Sequence, residues 1–181
     1  MKLRCLIAGL AWVAAVGGLC AAWDTVKTDQ GNVSGRVVSM DSKTIKFQSA
    51  TGAALAKDIP VNQIQTIYFD GEPRDLRIAK NHAISGHYAE ALAALERIKQ
   101  DPSRVEIRQD IEYYKAFCMT KLALGGSAKI AEAGKLMKAF ADGNPNSYHY
   151  FEASEAVGDL LVAFHQYPQA EQYYARLQSA P

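Results

Sequence analysis

The four histidines of the chain are its first candidates for metal binding or acid–base chemistry. They are His82, His87, His149 and His165, and no two of them stand four residues apart on one predicted helix. That spacing would direct both rings at one metal ion. A phosphate-binding loop is not indicated either, because Gly125-Gly126-Ser127 lacks a following lysine and is typical of a helix stop and an N-cap. We therefore predict neither a metal nor a cofactor.

Carboxylates could also do chemistry, and two sets of them fall on predicted helices. Asp110 stands near Glu112, and Glu152 stands near Glu155. A solvated charged face explains such carboxylates more often than the paired carboxylates of a hydrolase do. His149 with an acidic partner, as the acid–base site of an envelope hydrolase, is the alternative. Our prediction is a protein that has no catalytic residues and is not an enzyme.

Cys118 is the one candidate nucleophile in the body of the chain. A thiol becomes nucleophilic when a neighbouring imidazole lowers its pKa. Cys118 instead stands between Phe117 and Met119 in a helical pattern, which indicates a buried packing position. The aromatic run over residues 146–151, N-S-Y-H-Y-F, favours packing at the start of a helix. A stacking surface for a sugar or a peptide is the alternative for that run.

The N-terminus predicts export. A basic start precedes an almost wholly apolar run over residues 5–18, and small residues follow up to Ala22. These are the three parts of a secretory signal, so we expect cleavage after Ala22 and a mature protein in the periplasm or cell envelope of a bacterium. One alternative is a retained membrane anchor, which needs about 20 apolar residues. Another is lipid attachment at Cys20, although Leu19 is larger than the residue such signals place before the cysteine.

Loss of this signal changes the charge and the cysteine count. Lys2 and Arg4 leave with it, so the basic residues fall from 20 to 18 against 19 acidic residues, a net charge of −1. Such a chain has no electrostatic case for binding nucleic acid, and without the signal it has no integral membrane span. Cys5 and Cys20 leave as well, so Cys118 has no partner for an internal disulfide and stability must come from packing.

Residues 23–72 are predicted to form a small β-domain. Its five strands are expected at Val26 and over residues 33–40, 44–48, 55–59 and 66–69. Gly35 marks a point where the backbone bends or bulges, and Ile45 and Phe47 should face inward. Residues 61–64 predict one tight helical turn. Five short strands with close turns favour a closed or half-closed barrel, because closure removes unpaired edges.

After Pro73 the apolar period becomes helical, and residues 73–181 are predicted to be all-α. Six helices are expected between the glycine and proline stops. Their packing residues or spans are Leu76, Ala79, Ala83 and Ile84; Tyr88, Ala91, Leu92, Leu95 and Ile98; Ile107, Ile111, Tyr114, Ala116, Phe117 and Leu122; Ile130, Ala133, Leu136, Met137 and Phe140; residues 151–164; and residues 168–177. The fold class is therefore α+β, with a signal over residues 1–22 and two domains after it.

The helices repeat as pairs. Residues 86–95, GHYAEALAAL, have the form G-x-Y-x-x-A-L-x-x-L, and residues 165–174, HQYPQAEQYY, place Tyr and Ala in the same register. Ala91, Ala133 and Ala170 then mark the second helix of three pairs, 42 and 37 residues apart. Small residues, Gly158 among them, should lie where helices cross closely.

These motifs resemble tetratricopeptide repeats, whose unit is about 34 residues long. Residues 74–177 resemble such an array with a stretched middle unit. Together with the signal and the phrase IPVNQIQTIYFDGEP over residues 59–73, the chain resembles a set of exported bacterial proteins in which a small β-domain precedes helical repeats. The β-domain is similar in pattern to Sm-like or SH3-like barrels. Some tetratricopeptide domains grip a carboxylate with Lys and Asn, but Leu76 and Lys80 occupy those places here.

The resemblance implies a protein-interaction role without enzyme activity, and two functions follow. In the first, the chain is a scaffold whose helical groove binds a protein or peptide partner of unknown identity through unknown residues. In the second, the β-domain binds a ligand or forms a homo-oligomer, and the helices are a spacer. We expect no capping helix beyond the apolar residues of the last helix, which are Tyr173, Tyr174 and Leu177. Either the chain is a shortened form of a longer array, or a partner or a second copy covers this end.

Overall fold

The computed structural model describes residues 23–50 and 56–181, so the predicted signal lies outside the described residues. Within these ranges five strands precede six helices, an α+β arrangement in two parts, as predicted. The strands are β1 (Asp24–Thr28), β2 (Gly31–Met40), β3 (Thr44–Ser49), β4 (Lys57–Pro60) and β5 (Ile64–Tyr68). The helices are α1 (Arg74–Ile84), α2 (Tyr88–Glu96), α3 (Val105–Leu124), α4 (Ile130–Gly143), α5 (Tyr150–Ala163) and α6 (Tyr167–Arg176).

The strands form one antiparallel sheet in the order β4-β3-β2-β1-β5. β5 pairs with β1, and β4 pairs with β3. The sheet is thus open between β4 and β5 in the described part of the chain, where the sequence predicts a closed or half-closed barrel. β4 ends in Pro60, which has no N–H for a further ladder bond and suits an edge strand. The predicted tight turn forms at Val61–Gln63, between these two strands.

The sequence predicts a bend or bulge at Gly35, but the structure shows a different reason for a glycine at this position. The irregularity in the pairing of β2 with β3 lies between Val37 and Ser39. Gly35 instead lies close to β3: a Cβ atom there would clash with the backbone oxygen of Gln48 and come within 2.8 Å of two ring carbons of Phe47. The glycine therefore permits close contact between β2 and a buried ring, which is the other common reason for glycine within a strand. Phe47 and Ile45 are buried, as predicted.

One hydrophobic core extends from the sheet into the helices. It includes Val26, Ile67 and Phe69 from the sheet side and Leu76 and Ile107 from the helices. Ile84, predicted to pack with them, is instead 45% exposed. It follows the buried Ala83 directly, so it points about 100° away from that residue around the helix axis.

The first helix of each predicted pair ends in the same backbone geometry. A residue in the left-handed region follows each of α1, α3 and α5, and the next N–H bonds to the carbonyl oxygen five residues earlier, as in a Schellman motif. The left-handed residues are Gly86 (φ 81°), Gly126 (φ 80°) and His165 (φ 59°). The bonds run from His87 to His82 (2.9 Å), from Ser127 to Leu122 (2.8 Å) and from Gln166 to Leu161 (2.8 Å).

Helices pack mainly on their neighbours in the sequence. The contacts join α1 to α2, α2 to α3, α3 to α4, α4 to α5 and α5 to α6, with further contacts between α1 and α3 and between α3 and α5. In the last helix Tyr173 is 5% exposed, and its hydroxyl donates to the carboxylate of Asp142 on α4 at 3.1 Å. Of the three residues that we expected to lack a covering helix, Tyr173 is therefore buried, and Tyr174 and Leu177 are half-buried. Over the described ranges, none of the helices has the length and apolarity needed to cross a bilayer.

Candidate functional site

A chain of alternating charges runs through the junction between sheet and helices. Its members, in order, are Glu72, Lys80, Asp110, His149 and Glu152, and we refer to them as the charge chain. Successive charged atoms are separated by 2.6 Å, 2.6 Å, 3.3 Å and 3.0 Å. The residues come from the segment after β5, from α1, from α3 and from the start of α5. Alternation of sign lets each buried charge face an opposite one, the condition under which charges are tolerated inside a protein.

Lys80 is the cation that ties the sheet to the helices. Its side chain is fully buried, and its ammonium also donates to the carbonyl oxygen of Ile67 in β5 at 2.6 Å. Glu72, equally buried, accepts from the backbone N–H of Phe69 at 3.2 Å and pairs with Arg77 at 3.2 Å. The lysine thus joins α1 to β5 and, through Asp110, to α3. Its ammonium has three oxygen partners and no need of water.

Asp110 contradicts the prediction that it lies on a solvated face. Its side chain is 1% exposed, because α3 is covered both by α1, which carries Lys80, and by α5, where His149 caps the start. Burial by itself would raise the pKa of this carboxyl. The facing Lys80 and His149 outweigh that effect and lower its pKa below the ordinary value. Glu112, two residues on, is exposed as predicted.

His149 lies between two carboxylates and among aromatic rings. Its Nε2 is 3.3 Å from Oδ1 of Asp110, and its Nδ1 is 3.0 Å from Oε2 of Glu152. The imidazole stacks on the ring of Tyr113 with centroids 3.5 Å apart and planes 8° apart. Burial opposes protonation, but Asp110 and Glu152 outweigh it and raise the pKa of the imidazole. Within the aromatic run over residues 146–151, Tyr148 and His149 are buried. These two residues therefore pack inside the protein, which was the first of the two interpretations of the run.

The centre of the charge chain depends on charge more than on directed hydrogen bonds. Both carboxylate oxygens of Asp110 and Nε2 of His149 are buried and lack a well-directed hydrogen bond within the described residues. They nevertheless lie at ion-pair distance from opposite charges. Loss of either charge would leave the other buried with one of its two opposite charges missing. The charge chain is therefore expected to respond to protonation.

The geometry does not favour the acid–base alternative for His149. The imidazole is 3% exposed, and the two carboxylates favour its protonated form, which has no lone pair with which to accept a proton. Cys118 is buried as predicted, and burial raises the pKa of its thiol to about 12, which disfavours the nucleophilic thiolate. Among residues 23–50 and 56–181, no three His, Cys, Asp or Glu side chains are grouped so as to hold a metal ion.

The outer end of the charge chain borders a cleft of about 430 Å³, which we call the α1–α3–α5 cleft. Residues from each of these helices line it, together with Gln65 from β5 and Tyr88 at the start of α2. Its aromatic members are Tyr88, Tyr113, Tyr114 and Phe117, and its acidic members are Glu152, Glu155 and Asp159. Glu152, 61% exposed at its side chain, accepts a 3.0 Å hydrogen bond from the hydroxyl of Tyr113. The cleft is thus an aromatic surface with acidic residues along α5.

A second buried ion pair joins the two parts of the chain away from the cleft. Arg104, just before α3, contacts both carboxylate oxygens of Asp24 in β1, at 2.7 Å and 3.1 Å. The same carboxylate accepts backbone N–H bonds from Val37 and Asp70, each at 2.8 Å. Burial opposes ionisation of Asp24, but Arg104 and these amides lower its pKa. Sheet and helices are therefore linked at two polar junctions as well as through the core.

Part of this site could have been recognised from the sequence. Lys80 lies four residues after Leu76 and three before Ala83, and Asp110 lies three after Ile107 and four before Tyr114. Both charges therefore occupy the apolar face of their helix, where a charge requires a partner of opposite sign. The other histidines lie at helix ends: His82 and His87 are neighbours at the α1–α2 turn, with ring centroids 5.9 Å apart, and His165 follows α5.

Comparison with known proteins adds no family to this description. No protein-family model matches the chain, and neither curated proteins nor solved structures show a significant match to it.

Proposed function

We propose that this protein is an exported, non-enzymatic interaction module. Its helices form a tetratricopeptide-like array that holds a segment of a protein partner in the α1–α3–α5 cleft. The observation that carries the proposal is that the first helices of all three pairs contribute to one cleft. In a stacked array the equivalent helices of successive repeats line a common surface, and such surfaces bind other chains. The Schellman ends shared by α1, α3 and α5 support the same pairing.

The size and lining of the cleft suit a peptide segment. About 430 Å³ is enough for a few side chains of a partner. Tyr88 and Phe117, both half-buried, offer flat apolar area, which contributes strongly to binding at interfaces. Tyr113 is buried and is held between the ring of His149 and the carboxylate of Glu152, so it forms a fixed wall of the cleft.

The sheet contributes to this site in the proposed function. Gln65 of β5 lines the cleft, and Thr66 beside it shares a 3.0 Å hydrogen bond with the hydroxyl of Tyr114 on α3. Together with the Lys80 and Arg104 junctions, this contact fixes the sheet edge relative to the helices. The β-part then serves as a rigid wall of the cleft.

One observation favours the second candidate, in which the β-part binds a ligand or a second copy of the chain. Val38 on β2 is 56% exposed and follows the buried Val37, so it points to the outer side of the sheet. In that case partners would contact the outer side of the sheet. Light scattering would give an oligomer, and Val38→Thr would convert it to a monomer.

A site-specific photo-crosslinker separates the two candidates. Placed at Ile84, an exposed residue lining the cleft, it should join the protein to a partner in the native envelope. Placed at Val38, it probes the sheet and serves as the matched control. Crosslinks at Ile84 alone support the helical cleft. Crosslinks at Val38 alone support the second candidate, and absence of products at both positions contradicts both.

Export is tested separately. The protein purified from its native host should begin at Trp23, because the predicted cleavage follows Ala22. A protein that retains Met1 and stays in the membrane fraction would show an anchor instead.

A further inference from the structure

The acidic members of the α1–α3–α5 cleft lie along one face of α5. Glu152, Glu155 and Asp159 are spaced by three and four residues, so their side chains follow one another along the helix. The hydroxyl of Tyr174 donates to Asp159 at 2.8 Å, which orients that carboxylate. We call these three residues the acidic row. The same cleft is lined by Tyr113, Tyr114 and Phe117 of α3.

The positive groups in the cleft do not cancel the acidic row. The lining contains Lys121 and the imidazole of His149 beside the three carboxylates. The charge of His149 is shared between Glu152 and the buried Asp110. Lys121 is then the one other cationic side chain among the described lining residues. The cleft consequently has excess negative charge and attracts cations.

A cation of the protein itself already occupies part of the aromatic surface. The ammonium of Lys121 lies over the ring of Phe117, 5.2 Å from its centroid. Lys121 therefore already makes the contact with a ring face that a basic side chain from a partner would make in this cleft.

From these observations we infer, resting on the function proposed above, that the partner segment is a basic peptide with lysine or arginine at alternate positions. Glu155 and Asp159 are one helical turn apart, about 6 Å along the axis. Side chains two apart in an extended peptide are separated by about 7 Å and point the same way. Two basic side chains so spaced can each face one carboxylate, while the residue between them is turned away. Arginine adds stacking on Tyr88 or Phe117 to its charge.

The inference is tested by fluorescence polarisation with the full protein purified after export. The probes are a nine-residue peptide of alternating lysine and leucine and two counterparts in which glutamine or glutamate replaces lysine. We expect the lysine peptide to bind about tenfold or more tightly than the glutamine peptide, and the glutamate peptide to bind least. Added salt should weaken the lysine peptide most, because salt screens exposed charges.

Two charge reversals make the test specific for the cleft. Glu155→Lys should weaken binding of the lysine peptide about tenfold or more. Glu171→Lys on the exposed face of α6 alters net charge equally and should leave binding nearly unchanged. Thermal melts establish that both variants are folded. Equal effects of the two reversals, or equal binding of lysine and glutamine peptides, overturn the inference.

A third variant distinguishes failure of the inference from failure of the proposed function. Ile84→Arg places a large charged side chain at the exposed edge of the cleft. If the glutamine or glutamate peptide binds best and Ile84→Arg abolishes that binding, the cleft holds peptides of another chemistry, and only the inference is overturned. If Ile84→Arg changes the binding of none of the peptides, and the photo-crosslinker at Ile84 gives no product, both the inference and the proposed function are wrong.

Discussion

Gly86 and His165 occupy the same left-handed backbone position in two helix pairs. Their φ angles are 81° and 59°, each follows the first helix of its pair, and the next residue closes an equivalent hydrogen bond. Glycine adopts this conformation without steric cost, whereas a residue with a side chain is strained there. The two positions therefore form a matched pair for measuring the strain of a left-handed residue at the end of a helix.

We expect His165→Gly to stabilise the protein by about 1 kcal/mol and Gly86→Ala to destabilise it by about the same amount. A Cβ atom at Gly86 would meet nothing within 4 Å, so backbone strain is the main effect there. Urea denaturation midpoints measure both changes. If His165→Gly destabilises the protein, the 2.9 Å contact between the imidazole and Tyr167 outweighs the strain, and our interpretation is wrong.

Gly158 lies where α5 packs closely against Tyr174 of α6, in agreement with the close helix crossing predicted there. A Cβ atom there would come within 2.8 Å of the Tyr174 ring, which its bond to Asp159 holds in place. Gly158→Ala should therefore cost about 1–3 kcal/mol by overpacking. Gly134→Ala on α4 is the control: its Cβ atom would meet nothing within 4 Å. It should stabilise by up to about 1 kcal/mol through helix propensity. Chemical denaturation giving both changes the same sign would contradict the packing argument.

Removal of the Lys80 ammonium should be far more costly than removal of a surface cation. Lys80→Met leaves Glu72 and Asp110 buried without their shared partner, and we expect a loss of about 3–5 kcal/mol. The control is Arg97→Met, which breaks the exposed pair with Asp75 and should cost under about 1 kcal/mol. Unfolding free energies that differ by less than about 1 kcal/mol would show that the charge chain contributes little.

Stability should fall as pH rises from slightly acidic to alkaline values. The folded state raises the pKa of His149 above its ordinary value, so its contribution is complete below about pH 6.5 and is lost as pH rises through the folded pKa. Asp110 has a lowered pKa, so its contribution is present above about pH 4 and is lost as pH falls through the folded value. The charged groups that face the imidazole are Asp110, Glu152 and, through Asp110, Lys80; the rings of Tyr113, Tyr114 and Tyr148 also contact it.

His149→Gln tests this assignment. Denaturation midpoints of the wild type should decline between about pH 6 and pH 9, and those of the variant should decline less over this interval. The variant should also be less stable at about pH 6, because Asp110 then lacks one of its two cations. Parallel pH profiles for the two proteins would assign the dependence to other groups.

Much of the local structure follows from the sequence, because it depends on neighbours along the chain. The alternation around Ile45 predicts a strand, Gly86 predicts the end of α1, and the spacing of Ala91 and Ala170 predicts buried positions in α2 and α6. Closure of the sheet was not predictable in this way. It depends on whether the free edge of β5, which pairs with β1 on its other side, also pairs with β4, and local alternation does not show which edges meet.

The sequence by itself determined most of the strands and helices and small residues at buried helix positions, such as Ala91, Gly158 and Ala170. Only the tertiary structure decided which charges are buried and which faces meet at the cleft. Helical periodicity shows that Lys80 and Asp110 lie on apolar faces, but it does not show that these faces meet each other and the imidazole of His149. That arrangement depends on how α1, α3 and α5 pack against one another and on the contacts of Lys80 and Tyr114 with β5. Charges from Glu72 to Glu152 become partners through this packing across 80 residues of chain.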